Sequence, residues 1–128
     1  MTEILLISHG LMAEGILDSM KMLIGEVNNV EKITFSVDMG IDELQEEVKA
    51  YLSSKKDKNF LIFTDLKGGT PFNVASILTH EIEGVKVFYG MNLPIVIEAV
   101  SLKDSVSFED LIQHIENSIE DSIGFSEL

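Results

Sequence analysis

Apolar residues along this chain switch between two spacings, and glycine or proline marks most of the switches. Ile4 to Ile7 is an unbroken apolar run, the pattern of a strand buried on both faces. Met12, Ile16, Met20 and Leu23 then recur at helical spacing, and Gly25 supplies a helix stop. Val30 to Val37 reads as a second strand, alternating through Ile33, Phe35 and Val37. Ile41, Leu44, Val48, Tyr51 and Leu52 mark a second helix, acidic near its start and rich in lysine near its end, as the helix dipole favours. Phe60 to Phe63 is a third buried strand, which stops at Thr64-Asp65 before the loop Lys67-Gly68-Gly69. Thr70 is expected as the N-cap of a third helix and Pro71 as its first residue. Val85 to Tyr89 is a fourth strand, ending at Gly90, and a short helix spans Pro94 to Leu102. Ser107 and Asp110 have capping-box spacing ahead of a last helix with the apolar face Leu111, Ile112, Ile115 and Ile119. Gly124 to Leu128 suits a frayed tail or a small extra edge strand, and periodicity does not separate the two.

Strands alternating with helices in this way predict an α/β fold. We expect a three-layer, open and mainly parallel sheet in the order 2-1-3-4, with helices on both faces and a possible extra C-terminal edge strand. Right-handed crossovers limit the other topologies. Internal repeats, low-complexity tracts and linkers are lacking, so residues 1–128 are expected to form a single domain.

Composition narrows the class. With 45% hydrophobic and 7% aromatic residues the chain can bury a core and is not of disordered composition. Cysteine is absent, which removes both a disulfide framework and thiolate chemistry. No run approaches the ~20 apolar residues that span a bilayer, and no basic segment precedes the first apolar run, so a cytoplasmic protein is expected. The formal net charge is −13, from 22 acidic and 9 basic residues. That field repels a phosphate backbone, and the one basic cluster, Lys55, Lys56 and Lys58, is interrupted by Asp57; nucleic acid is not an expected partner.

In open α/β sheets, ligands bind beyond the carboxyl ends of the strands, where strand order reverses. His9 and Gly10 follow the first strand, and Asp65, Gly68 and Gly69 follow the third. With the order 2-1-3-4 these two strand ends are neighbours. Taken singly, His9 and Asp65 read more simply as structural turn residues, and the glycines as backbone geometry. Together they suggest chemistry. A neutral imidazole is a nucleophile near pH 7, and a carboxylate on one ring nitrogen fixes the tautomer and frees the other. Backbone N–H groups of the turn Gly68-Gly69-Thr70, and of the helix after Gly10, would offer donors to an anion, and a phosphoryl group is the obvious one. Gly10 is expected to keep its turn clear of side-chain bulk. His80 and His114 read as ordinary surface or helix-end residues, and three dispersed histidines lack metal-ligand spacing.

Three segments now carry a resemblance: the first strand ending in Ser8-His9-Gly10, "TDLKGGTPFN" from Thr64 to Asn73, and "GMNLPIVIEAV" from Gly90 to Val100. In order and spacing, from Ile4 to about Leu102, the chain resembles the IIA domain of the mannose-family sugar phosphotransferase system. The resemblance implies that His9 accepts a phosphoryl group from the histidine-containing phosphocarrier protein and passes it to a IIB component, serving the membrane IIC and IID components indirectly. It implies phosphate on Nε2, Asp65 orienting the other nitrogen, and Thr70 supplying a hydroxyl that lines the site. No cofactor, nucleotide or metal is expected, because the phosphoryl group arrives activated. A homodimer is implied; some relatives exchange a C-terminal strand, for which only Ser122 to Leu128 is available here. Some relatives also carry a fused IIB domain, which these 128 residues are too few to hold.

Rival readings fit less well. The phosphotransferase subunit of dihydroxyacetone kinase shares the fold and early histidine but not the Gly-Gly-Thr-Pro pattern. A response-regulator receiver needs paired carboxylates near the end of strand one, and "ILLISHG" has none. A histidine phosphatase expects arginine where this chain has Ser8. A non-catalytic regulatory binding module, with His9 structural, is the remaining alternative.

Overall fold

The computed structural model describes every residue from Met1 to Leu128. Nine elements follow one another: β1 (Thr2–His9), α1 (Met12–Ile24), β2 (Val30–Phe35), α2 (Ile41–Ser54), β3 (Asn59–Thr64), α3 (Thr70–Leu78), β4 (Val85–Phe88), α4 (Leu93–Leu102) and α5 (Phe108–Ser122). The four strands form one parallel sheet in the order β2-β1-β3-β4, as expected.

The two central strands explain the unbroken apolar runs. Side chains of a strand alternate between sheet faces, and here both faces are covered. Ile4 and Leu6 of β1, with Leu61 and Phe63 of β3, pack under α1, α4 and α5 against Ala13, Met20, Ile95, Val96, Leu111 and Ile115. Leu5, Ile7, Phe60 and Ile62 point the other way, against Leu44, Val48 and Leu52 of α2 and Val74, Ala75 and Leu78 of α3. The layers are therefore helix, sheet, helix.

Several element ends differ from the sequence reading. β2 stops at Phe35, so Val37 continues the alternation outside the sheet, 98% exposed in the β2–α2 loop. α3 takes Gly69 as its N-cap, so Thr70 and Pro71 are its first two residues and Thr70 caps nothing. Ser107 does cap α5, accepting the Asp110 N–H at 3.1 Å. In α1 the predicted stripe is rotated: Ala13 and Met20 are buried, while Leu23 faces solvent. Gly124 to Leu128 is a tail without regular structure rather than a fifth strand.

Register then places the strand ends. His9 pairs opposite Phe35, and Ile7 opposite Thr64, so Asp65 emerges from the sheet beside His9.

Candidate functional site

His9 is the last residue of β1, and Asp65 is the first beyond β3. Asp65 Oδ2 lies 2.8 Å from His9 Nδ1 and also accepts the backbone N–H of His9 at 2.9 Å. Its second oxygen, Oδ1, accepts the Leu66 N–H at 2.9 Å. One carboxylate thus ties together the ring, the strand end and its own turn. Partial burial pushes its pKa up, but the backbone and ring hydrogen bonds from His9, the charge His9 carries when protonated and a backbone N–H of its own turn outweigh that. The net result lies below the ordinary carboxylate value. An ionised carboxylate can only accept, so Nδ1 carries a proton; in the neutral ring Nε2 is then the nitrogen with a lone pair. The Asp65 side chain is 11% exposed and that of His9 47%, so the acceptor is shielded while the ring stays reachable.

Two neighbours fix the ring plane. Phe35 meets it edge-on, with centroids 5.8 Å apart. Across the ring, a Cβ on Gly69 would sit 3.0 Å from His9 Cε1 and 3.2 Å from the Leu66 carbonyl oxygen. Gly69 is therefore a site of close approach. Gly68 is glycine for another reason: its φ is +80°, where side chains are strained, although a Cβ there would meet nothing within 4 Å.

Crowding does not explain Gly10, contrary to the expectation from sequence. A Cβ at Gly10 would also meet nothing within 4 Å, and it is a φ of +56° that demands glycine. The backbone donors are redistributed too. The Gly10 N–H goes to Phe35 O at 3.0 Å and the Gly69 N–H to Leu66 O at 3.0 Å. The N–H groups of Leu11, Gly68 and Thr70 have no protein acceptor, and neither does the half-buried Thr70 hydroxyl. The structure thus gathers His9, Asp65, Gly10, Gly68, Gly69 and Thr70 at one edge. His114 on α5 and His80 beyond the end of α3 belong to other, exposed surfaces. No group of three or more His, Cys, Asp or Glu side chains is arranged to hold a metal ion.

Two residues of this edge escaped the sequence reading as individuals. Ser8 is fully buried, and its Oγ accepts the Ala13 N–H at 2.8 Å. It caps α1 from five residues away, because Leu11 at the N-cap has no side-chain acceptor. Asn73 reaches back from α3 to the Gly68 carbonyl at 3.2 Å. A polar residue closing an apolar strand was the signal for Ser8; Asn73 stood only as the last letter of a motif.

The fold and this edge define an α/β protein whose parallel sheet presents a histidine and an aspartate on adjacent strand ends. Comparison with known proteins is more specific. The model of the PTS system fructose IIA component matches residues 3–116, and the chain belongs to this family, the mannose-type IIA components of the sugar phosphotransferase system. It is 30% identical over 113 residues to the sorbose-specific EIIA component of Lacticaseibacillus casei, covering 88% of this chain and 82% of that one. It is likewise 30% identical over 116 residues to the fructose-specific EIIA component of Bacillus subtilis (strain 168), covering 90% and 80%. The crystal structure of phosphotransferase system component EIIA from Streptococcus agalactiae superimposes with a TM-score of 0.90 at 31% identity, over 98% of this chain and 97% of that one. As a member of this family the protein is a phosphotransferase subunit, and no helix in it is long and apolar enough to cross a membrane.

Proposed function

We propose that this IIA component is a phosphoryl carrier: His9 takes a phosphoryl group from a histidine-containing phosphocarrier protein and gives it to a IIB component during sugar uptake. The observation that carries the reading is the 2.8 Å contact between Nδ1 and Asp65, which leaves Nε2 as the free nitrogen of a half-exposed ring. In the proposed step the Nε2 lone pair attacks phosphorus, the P–N bond to the donor histidine breaks, and its electrons return to the donor ring. Nδ1 keeps its proton throughout. The ring gains positive character, which the adjacent carboxylate stabilises.

The unpaired N–H groups of Gly68 and Thr70 at the start of α3, with the Thr70 hydroxyl, favour an anion here through local hydrogen bonding and the helix dipole. Gly10 and Gly69 contribute backbone conformation and close approach to the ring respectively, since their own N–H groups are engaged. The protein is proposed to act in the cytoplasm as one domain and as a homodimer. The dimer is supported by the unpaired outer edge of β4 and the groove of about 340 Å³ between it and α5, lined by Phe88, Ile112, Ile115, Ile119 and Ile123. An open strand edge beside an apolar groove invites cover.

The test is phosphorylation in a mixture of the protein, phosphocarrier, its upstream kinase and phosphoenolpyruvate. An acid-labile phosphate is expected on the wild type, on His80→Ala and on His114→Ala, and none on His9→Ala. Labelling that survives His9→Ala would sink the reading.

A further inference from the structure

We infer that Asn73, to which the family reading gives no task, is a positioning residue that holds the ring of His9 for attack through the Gly68–Gly69 peptide. The inference rests on the phosphoryl-carrier reading above. Each end of that peptide is tied: its carbonyl oxygen, on Gly68, accepts Asn73 Nδ2–H at 3.2 Å, and its N–H, on Gly69, donates to Leu66 O at 3.0 Å. The next peptide is held as well, its Gly69 carbonyl accepting the Asn73 backbone N–H at 2.9 Å. The Asn73 side chain is the only one among these groups.

The held peptide matters because of what rests on it. Gly69 has no Cβ, and one there would stand 3.0 Å from His9 Cε1, the carbon between the two ring nitrogens, so the ring occupies the space a side chain would take. Asp65 anchors Nδ1, and Phe35 meets the ring edge-on. Those contacts leave the ring a small pivot about its Cβ–Cγ bond, which would swing Nε2. The Gly69 backbone blocks that pivot on one side, provided the peptide does not rotate. With φ at +80°, Gly68 has the backbone freedom to let it rotate, and the Asn73 amide removes that freedom. Misplacing the reacting nitrogen by a fraction of an ångström is enough to slow an in-line transfer.

The experiment compares wild type, Asn73→Ala and Asn73→Gln, the last keeping an amide donor on a longer arm. Phosphoryl uptake is measured against phosphocarrier concentration, and the His9 Cε1–H signal is followed by NMR. Asn73→Ala is expected to lower the maximal rate by about tenfold. Its KM for the phosphocarrier should stay within about twofold and its fold intact by circular dichroism, with the Cε1–H signal broadened by ring motion. Asn73→Gln should recover part of the rate. An unchanged maximal rate with an unchanged Cε1–H signal would overturn the inference. So would a rise in KM alone, which would make Asn73 a docking contact. Failure of the carrier reading looks different: wild type itself would take no label, or would take it elsewhere than His9.

Discussion

Adjacent glycines, Gly68 and Gly69, should respond to the same substitution in opposite ways. Alanine at Gly69 places a methyl carbon 3.0 Å from His9 Cε1, whereas ordinary contact begins at 3.4 Å, so the ring must retreat by about 0.4 Å, the difference. The loop cannot retreat instead, because the same carbon meets the Leu66 carbonyl oxygen at 3.2 Å. The backbone itself is not strained: φ −76° and ψ 168° suit alanine. Losing glycine at an N-cap costs up to about 1 kcal/mol and the stiffer unfolded chain returns about 0.4–1 kcal/mol, so these nearly cancel and the crowding against the ring and Leu66 is what remains. At Gly68 the balance inverts. A methyl group there touches nothing, but φ of +80° costs an alanine roughly 1–2 kcal/mol, a fall of roughly 5 °C in melting temperature.

Thermal unfolding and the initial rate of phosphoryl uptake separate the two. Gly69→Ala should melt closer to wild type than Gly68→Ala and transfer about tenfold more slowly. Gly68→Ala should melt lower and keep a rate much closer to wild type. Should Gly69→Ala melt as low as Gly68→Ala while transferring at the wild-type rate, the contact with the ring has no bearing on transfer.

Further outcomes are expected at Asp65 and in the groove beside β4. Asp65→Asn should slow transfer while leaving the fold intact, and unchanged kinetics would remove Asp65 from the mechanism. The folded pKa of Asp65 is lowered, so its stabilisation is present above the unfolded value of about 4 and lost as pH falls through the folded value. The melting difference between wild type and Asp65→Asn should therefore be widest near neutrality and shrink below about pH 4; a difference that stays constant would refute the assignment. Sedimentation should give twice the 14.2 kDa chain mass, and Ile119→Glu, which puts a charge in the groove beside β4, should shift the protein toward the single chain. Wild type sedimenting as a single chain at micromolar concentration would refute the dimer.

Local chemistry made much of the fold legible. Ile4–Ile7 and Phe60–Phe63 stand out because a strand covered on both faces needs no polar residue for its whole length. Leu44, Val48 and Leu52 announce α2 because burying one helix face repeats every three to four residues. Element ends were less legible. Val37 keeps the strand period after β2 has stopped, because pairing ends with the strand beside it and not with the pattern. Leu23 repeats the helical spacing but faces solvent, since which face of α1 is covered depends on where α4 lies.

The sequence by itself determined that a histidine and an aspartate would each close a buried strand, and that glycines would follow both. Only the tertiary structure decided that those strands lie side by side in a register that sets Nδ1 and Oδ2 2.8 Å apart. It also divided the glycines between two tasks, Gly10 and Gly68 for left-handed backbone and Gly69 for contact with the ring. A residue's periodicity is a property of the chain around it, whereas register, approach distance and the direction of a ring nitrogen depend on residues some fifty-six positions away. No local pattern encodes those; packing of the whole sheet does.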